Sequence, residues 1–141
     1  MLPDFPPEED ALHERIVQAV ATGMNELLPP EFRMSPSGDL FRTLEPKWRK
    51  YWIGRCSRAG PLLDDAGKAD VESVVGSVEL MLERLQTHVT VALTVPWPPV
   101  EGYGPGYFAF PMVEWRDGIL RLWFASHEGP VTLVVEVPLV L

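Results

Sequence analysis

Residues 107–125 read YFAFPMVEWRDGILRLWFA, and this stretch decides the C-terminal half of the fold. Two apolar and aromatic runs flank RDG at 116–118, and glycine after aspartate in so short a connection is typical of a β-hairpin. Pro111 has no N–H to donate, which predicts that the first strand lies at an edge or a bulge. A turn at 126–130 leads to the apolar run 131–141. The three runs predict a three-stranded antiparallel meander.

A long helix is predicted over residues 8–28. Apolar residues recur there every fourth position, the period of one buried helix face, and acidic residues at 8–10 suit the positive end of the helix dipole. Pro29 and Pro30 end the pattern, because proline cannot continue a helix. The stripe consists of Leu12, Ile16, Val20 and Met24.

A second helix is predicted from Val71, with Asp70 among the acidic residues suited to its N-terminal cap. Residues 88–95, HVTVALTV, leave two interpretations open. Their alternation of valine and leucine with threonine and alanine favours a strand, whereas the helical stripe continues through them without a Gly, Pro or Asn to break it. The missing breaker narrowly favours one helix that reaches Pro96.

The remaining segments complete a predicted α+β fold of a single domain, residues 1–141. Residues 31–45 predict a small hairpin around a turn cluster, and residues 46–56 fit a short helix or an irregular strand equally well. A proline-rich arm (1–7) and a Pro/Gly-rich connecting loop (96–107) lie outside these elements. We therefore expect two main α-helices packed on a small antiparallel β-sheet, formed by the C-terminal meander and a possible N-terminal hairpin.

Composition limits the cellular setting and the class of function. The 141 residues are 46% hydrophobic and 23% charged, which is typical of a globular domain. Cys56 is the single cysteine, so no intramolecular disulfide can form and a reducing compartment is expected. The first ten residues lack the features of a signal peptide, and the apolar runs are too short to span a bilayer. These features predict a cytoplasmic protein, within a host cell or incorporated in a virion, with no membrane partner.

Charge is unevenly distributed along the chain. The net charge is −8, but seven of the twelve Lys and Arg residues lie between Arg33 and Arg58, opposed there by Asp39 and Glu45. This basic segment (residues 33–58) carries +5 and the rest of the chain −13. It either packs beside acidic helices of its own fold or contacts a partner.

No catalytic signature is complete. His13-Glu14 begins like HExxH, but Val17 occupies the position of the second histidine, so one helix face cannot offer two imidazoles to zinc. Cys56 has no identifiable base, and the glycines of GYGPG at 102–106 lack the flanking strand and helix of a nucleotide-binding loop. We expect no enzyme activity, no metal, no cofactor and no small-molecule substrate.

Two stretches are candidate partner-binding sites. Basic and aromatic residues alternate within 42–58, a composition that suits phosphate contacts and base stacking or, with less charge required, docking on an acidic protein. The loop 96–107 offers aromatic residues on a stiff backbone, and its tryptophan either folds back on the core or inserts into a neighbouring subunit. The candidate residues are Lys47, Trp48, Arg49, Lys50, Trp52, Trp97, Tyr103 and Tyr107.

These features favour a non-catalytic structural or adaptor protein of a larger assembly, whose partners are other protein subunits. By analogy of size and fold, the first candidate is a bacteriophage virion component such as a head-to-tail connector or tail-completion protein. An acidic immunity or inhibitor protein that binds a basic toxin or nuclease is the alternative. A single-strand nucleic-acid-binding module that uses residues 42–58 ranks third.

Overall fold

The computed structural model describes residues 6–42, 49–53, 58, 60–103, 106–131 and 133–141, with residues 49–52 described by their backbone. Within these residues the fold is α+β, as predicted, with two helices and two antiparallel sheets. The elements in chain order are α1 (Pro7–Leu27), β1 (Phe32–Met34), β2 (Asp39–Arg42), β3 (Arg49–Trp52), α2 (Val71–Leu93), β4 (Phe110–Arg116), β5 (Ile119–Ala125) and β6 (Val134–Pro138). Of the predicted arm, residues 1–5 lie outside the described residues.

The C-terminal sheet is the predicted meander, with strand order β4-β5-β6. Asp117 and Gly118 connect β4 to β5 with φ of 51° and 80°, the left-handed pair that a two-residue hairpin requires and that glycine and aspartate tolerate best. Because β5 is the one described strand that pairs with β4, the strand that contains Pro111 is an edge strand. Both predictions made from residues 107–125 are therefore confirmed.

Both helices pack on one face of the C-terminal sheet, α1 beside β6 and α2 beside β4. Gly23 of α1 allows this close approach, since a Cβ atom there would lie 3.2 Å from a methyl group of Val135 and 3.2 Å from one of Val137. The inward residues of the central strand are fully or almost fully buried and form the centre of the core: Leu120, Leu122 and Phe124.

Helix α2 settles the open question of residues 88–95 in favour of the helix. It continues to Leu93 and ends where Thr94 adopts a left-handed conformation with φ of 61°, two residues before Pro96. The predicted cap is also confirmed, because the side chain of Asp70 accepts a hydrogen bond from the Ser73 amide at 3.3 Å.

The N-terminal sheet contains the predicted hairpin, β1 paired with β2, and adds β3 on the far side of β2. Residues 49–52 are thus a strand, which decides between the two interpretations of that part of the segment 46–56; residues 46–48 and 54–56 lie outside the described residues. This sheet is separate from the C-terminal sheet. At the free edge of β1, a side chain of α1 takes the hydrogen-bonding position that a further strand would occupy.

That side chain is Asn25. Its Nδ2 donates to the Met34 carbonyl at 2.9 Å, and its Oδ1 accepts from the Met34 amide at 2.8 Å, so one primary amide satisfies both backbone groups of a strand residue. Replacing Asn25 by Asp keeps the size but sets a carboxylate against a carbonyl. We expect Asn25→Asp to lower the free energy of unfolding by about 1–3 kcal/mol in urea denaturation. Gln18→Glu, the same amide-to-acid change at an exposed site of α1, is the control; equal effects would contradict this role of Asn25.

Candidate protein-binding interface

The first half of the loop 96–107 is anchored within its own chain. The side chain of Trp97 is only 6% exposed and meets the Phe124 ring edge-to-face, with 5.4 Å between ring centroids. Its backbone N–H donates to Thr90 Oγ1 at 3.1 Å, which ties the loop to the last turns of α2. Of the two alternatives for Trp97, the structure therefore shows the one in which its side chain folds back on the core.

The second half of the loop presents its aromatic side chains to solvent. Tyr103 and Tyr107 are 46% and 42% exposed, and their ring centroids lie 4.9 Å apart. Gly129 makes room for the first of these rings, because a Cβ atom there would lie 2.6 Å from Tyr103 Cε2. The Glu101 amide also donates to the Pro130 carbonyl at 3.2 Å. The loop and the turn after β5 therefore form one surface.

The outer face of the C-terminal sheet continues this surface with apolar residues. The strand register places Met112, Trp123 and Val134 side by side across all three strands. Phe110 follows at the end nearest the loop and lies 5.0 Å from the ring of His127, while Phe108 is 60% exposed. We call this surface the aromatic face; it comprises Tyr103, Tyr107, Phe108, Phe110, Met112, Trp123 and Val134.

A charged row borders the apolar row of the sheet. Glu114, Arg121 and Glu136 are neighbours across the three strands, and Arg121 Nε lies 3.9 Å from Glu136 Oε1. The guanidinium carbon of Arg121 lies 4.7 Å from the centroid of the Trp123 ring, within the range of a cation–π interaction. An apolar centre with a polar border is the usual anatomy of a protein interface.

Prolines oppose strand addition at both edges of the C-terminal sheet. In β4, Pro111 has no N–H to donate. Hydrogen-bonded and non-hydrogen-bonded positions alternate along the hairpin from the pair Arg116 and Ile119, so the backbone nitrogen of Pro111 faces the free edge. In β6, the Leu139 amide donates to the Gly118 carbonyl, so the neighbouring Pro138 also faces outward. Prolines at such positions oppose edge-to-edge pairing. The faces and loops of the C-terminal sheet are thus better suited to a partner than its edges.

The structure describes the basic segment only in part. Lys47 and Trp48 lie outside the described residues, and Arg49, Lys50 and Trp52 are placed by their backbone on β3, so binding by these five residues remains a prediction.

Two arginines of the basic segment serve the fold itself. Arg58 Nη2 donates to Asp10 Oδ1 at 2.7 Å, and Arg33 Nη1 donates to the Asn25 carbonyl at 3.1 Å. The basic segment therefore packs partly against α1, which agrees with the interpretation that it lies beside the acidic helices of its own fold.

The residues considered for chemistry do not converge within the described part of the chain, where no three His, Cys, Asp or Glu side chains form a group that could hold a metal ion. Cys56 lies outside that part. His13 is buried on α1, whereas His127 is on the turn after β5. Over the same residues, neither helix is long and apolar enough to cross a membrane.

His88, on α2, makes stability depend on pH. Partial burial lowers the pKa of His88 from its ordinary value of 6.5 by desolvating the imidazolium. The unfolded chain then binds this proton more readily than the folded chain, so stability falls as pH drops through about 6.5. We expect His88→Gln to reduce the loss of Tm between neutral pH and about pH 5. An unchanged loss of Tm would contradict this assignment, and His127→Gln is the control.

The aromatic face extends the sequence-based prediction beyond the loop. The sequence marked Tyr103 and Tyr107 as candidates. It did not mark the other residues of the face, which are Phe108, Phe110, Met112, Trp123 and Val134. The two-residue turn at 117–118 could have placed Met112 beside Trp123, because it fixes the register of β4 with β5. No family model matches this chain, and the searches of curated proteins and of solved structures found no match to it.

Proposed function

We propose that this protein is a non-catalytic structural or adaptor subunit that binds other protein subunits through its aromatic face. The observation that carries the proposal is the continuity of this face, from the paired tyrosines of the loop to the apolar row of the sheet. Monomeric proteins seldom expose contiguous apolar patches larger than a few hundred Å², and larger patches are typical of interaction sites. A surface of this kind supports assembly without any catalytic group.

The residue types of the aromatic face support protein binding. Tyrosine, tryptophan, phenylalanine, methionine and arginine are enriched in protein interfaces, and aromatic residues with arginine dominate their binding energy. Three strands at their usual spacing give an open face of about 300 Å², whereas a stable complex buries about 800 Å² on each partner. The loop aromatics are therefore needed to complete a surface of sufficient area.

A bacteriophage particle is the proposed setting for this subunit, as a head-to-tail connector or tail-completion protein. The chain length and the α+β architecture support this setting by analogy. Neighbouring portal, capsid or tail genes are the expected finding. A neighbouring toxin gene, together with a complex that dissociates at moderate salt, would instead favour the acidic inhibitor.

The double variant Tyr107→Ser/Phe108→Ser tests the use of the aromatic face. Both side chains are largely exposed, so the isolated protein should keep its Tm while losing its place in the native complex, measured by size-exclusion chromatography of cell extracts. Val91→Ser, at a 70% exposed apolar site on α2, is the matched control. Retention of the double variant in the same complex as the wild type would refute binding through this face.

A further inference from the structure

The aromatic face carries three hydrogen-bond donors that the described part of the chain leaves unused. The hydroxyl groups of Tyr103 and Tyr107 and the indole Nε1–H of Trp123 have no acceptor among the residues that the structure describes. Trp115, on the opposite face of the sheet, instead donates its Nε1–H to the Leu139 carbonyl at 2.8 Å. A molecule that lies on the aromatic face can therefore offer acceptors to all three donors.

A polyproline II helix is the kind of backbone that supplies such acceptors. It has no internal hydrogen bonds, so its carbonyl groups stay open to donors, and proline has no N–H that would need an acceptor in return. Its apolar rings pack on aromatic side chains, which line the surfaces that recognise proline-rich segments. Addition of a regular strand would use a sheet edge instead, and prolines oppose that at both edges of the C-terminal sheet. An extended proline-rich segment thus satisfies the donors and the aromatic rings together.

The aromatic face is long enough for a segment of this kind. Phe110, Met112 and Glu114 occupy alternate positions of β4, so the first and the last of them are about 14 Å apart along the strand. A polyproline II helix rises about 3.1 Å per residue, so about five residues cover this distance. Tyr103 and Tyr107 lie beyond Phe110, beside the turn after β5, and lengthen the track further.

A carboxylate at the far end of this track favours a basic residue in the bound segment. Arg121 Nε lies 3.9 Å from Glu136 Oε1. Glu114, on the other side of Arg121 in the same row, forms no ion pair with any described residue. Acidic residues also outnumber basic ones by four to two in residues 106–141. A cation that follows the prolines is therefore the complement of Glu114.

We propose that the aromatic face binds a proline-rich segment of its partner subunit in the polyproline II conformation. The hydroxyl groups of Tyr103 and Tyr107 and the indole of Trp123 donate to carbonyl groups of the segment, and Glu114 pairs with an arginine that follows the prolines. This inference rests on the proposed function and names the chemistry of its partner. Because a polyproline II backbone is already formed before binding, it loses little conformational entropy, and a face of modest area suffices.

Synthetic peptides test this binding directly. The probe is a decaproline peptide that ends in arginine, titrated into the full chain by isothermal titration calorimetry. The same peptide ending in glutamine should bind about threefold more weakly, because it lacks the ion pair. A glycine–serine peptide of the same length that ends in arginine should bind about tenfold more weakly than the probe, because it lacks the rings and the preformed backbone. A probe that does not bind, or binds no better than the glycine–serine peptide, would overturn the inference.

Two conservative variants locate the binding on the aromatic face. Tyr103→Phe/Tyr107→Phe keeps both rings and removes the two hydroxyl groups, so the probe should bind about tenfold more weakly while the Tm stays unchanged. Glu114→Gln should weaken the arginine-ended peptide about threefold and leave the glutamine-ended peptide unaffected, a difference that a loss of folding would not produce. Glu83→Gln, the same change at an exposed site on α2, is the control and should alter neither. Wild-type affinity of the double phenylalanine variant for the probe would also overturn the inference.

The outcome is separable from that of the proposed function. If the wild type does not prefer the proline peptides but Tyr107→Ser/Phe108→Ser still leaves the native complex, the aromatic face binds a partner of different chemistry and only the inference fails. If that serine variant also stays in the native complex, both fail.

Discussion

Replacing Trp97 by alanine is expected to lower the free energy of unfolding of the isolated chain by about 3–5 kcal/mol. The indole is buried against Phe124 of the central strand of the C-terminal sheet, and this edge-to-face contact adds to the area that it removes from water. Its loss would leave a cavity beside one of the largest core residues and release the connection between α2 and β4. Urea denaturation followed by circular dichroism measures the effect.

Tyr107→Ala is the control for this experiment, because it removes an aromatic ring from the same loop at a site that is 42% exposed. Its cost should be well below that of Trp97→Ala, since an exposed ring loses little burial. A stable Trp97→Ala monomer that fails to assemble would contradict the internal anchor and make the loop an interface arm. The two variants thus separate the structural half of the loop from its exposed half.

The elements that the sequence predicts well are those whose residues act locally. The hairpin at Asp117-Gly118 follows from the left-handed conformations that these residues accept. Helix α1 follows from the spacing of its apolar stripe and from Pro29, which cannot extend it. In both cases the signal lies within a few residues of the element that it specifies.

The features that the sequence leaves open depend on contacts between distant residues. Pro96 marks the end of α2 only approximately, because the helix ends at Thr94, a β-branched residue that rarely adopts positive φ. The strand at 49–52 exists through its pairing with β2, and the edge of β1 is closed by the hydrogen bonds between Asn25 and Met34. Local propensity cannot specify such pairings, because tertiary contacts decide them.

Only the part of the candidate interface that depends on local sequence was predictable. Exposed aromatic residues in the loop are visible in the sequence, but the row formed by Met112, Trp123 and Val134 requires the register of three strands. The hairpin turn supplies the register of β4 with β5. The connection between β5 and β6 is longer and does not supply the second register.

Removal of a buried carboxylate, that of Glu9, is expected to lower the free energy of unfolding about as much as Trp97→Ala. Glu9, in the first turn of α1, is 4% exposed and accepts hydrogen bonds from the amides of Leu62 and Leu63 at 2.9 and 2.7 Å. Arg58 Nη1 lies 3.9 Å from Glu9 Oε2. The sequence indicated only that an acidic residue here favours the helix dipole. The structure adds that this carboxylate holds the start of α1 against the loop that precedes α2.

Glu9→Ala is therefore expected to lower the free energy of unfolding by about 3–5 kcal/mol, because it leaves two backbone donors without their acceptor and removes one of the two carboxylates beside Arg58. Glu9→Gln should cost about half as much, since one amide oxygen can still accept one of the two bonds. Glu8→Ala, at the exposed preceding position, removes the same charge from the same helix turn and should cost about 0.5 kcal/mol. Urea denaturation of the three variants measures these differences. Equal losses for Glu8→Ala and Glu9→Ala would mean that the helix dipole, and not the bonds to Leu62 and Leu63, accounts for the effect.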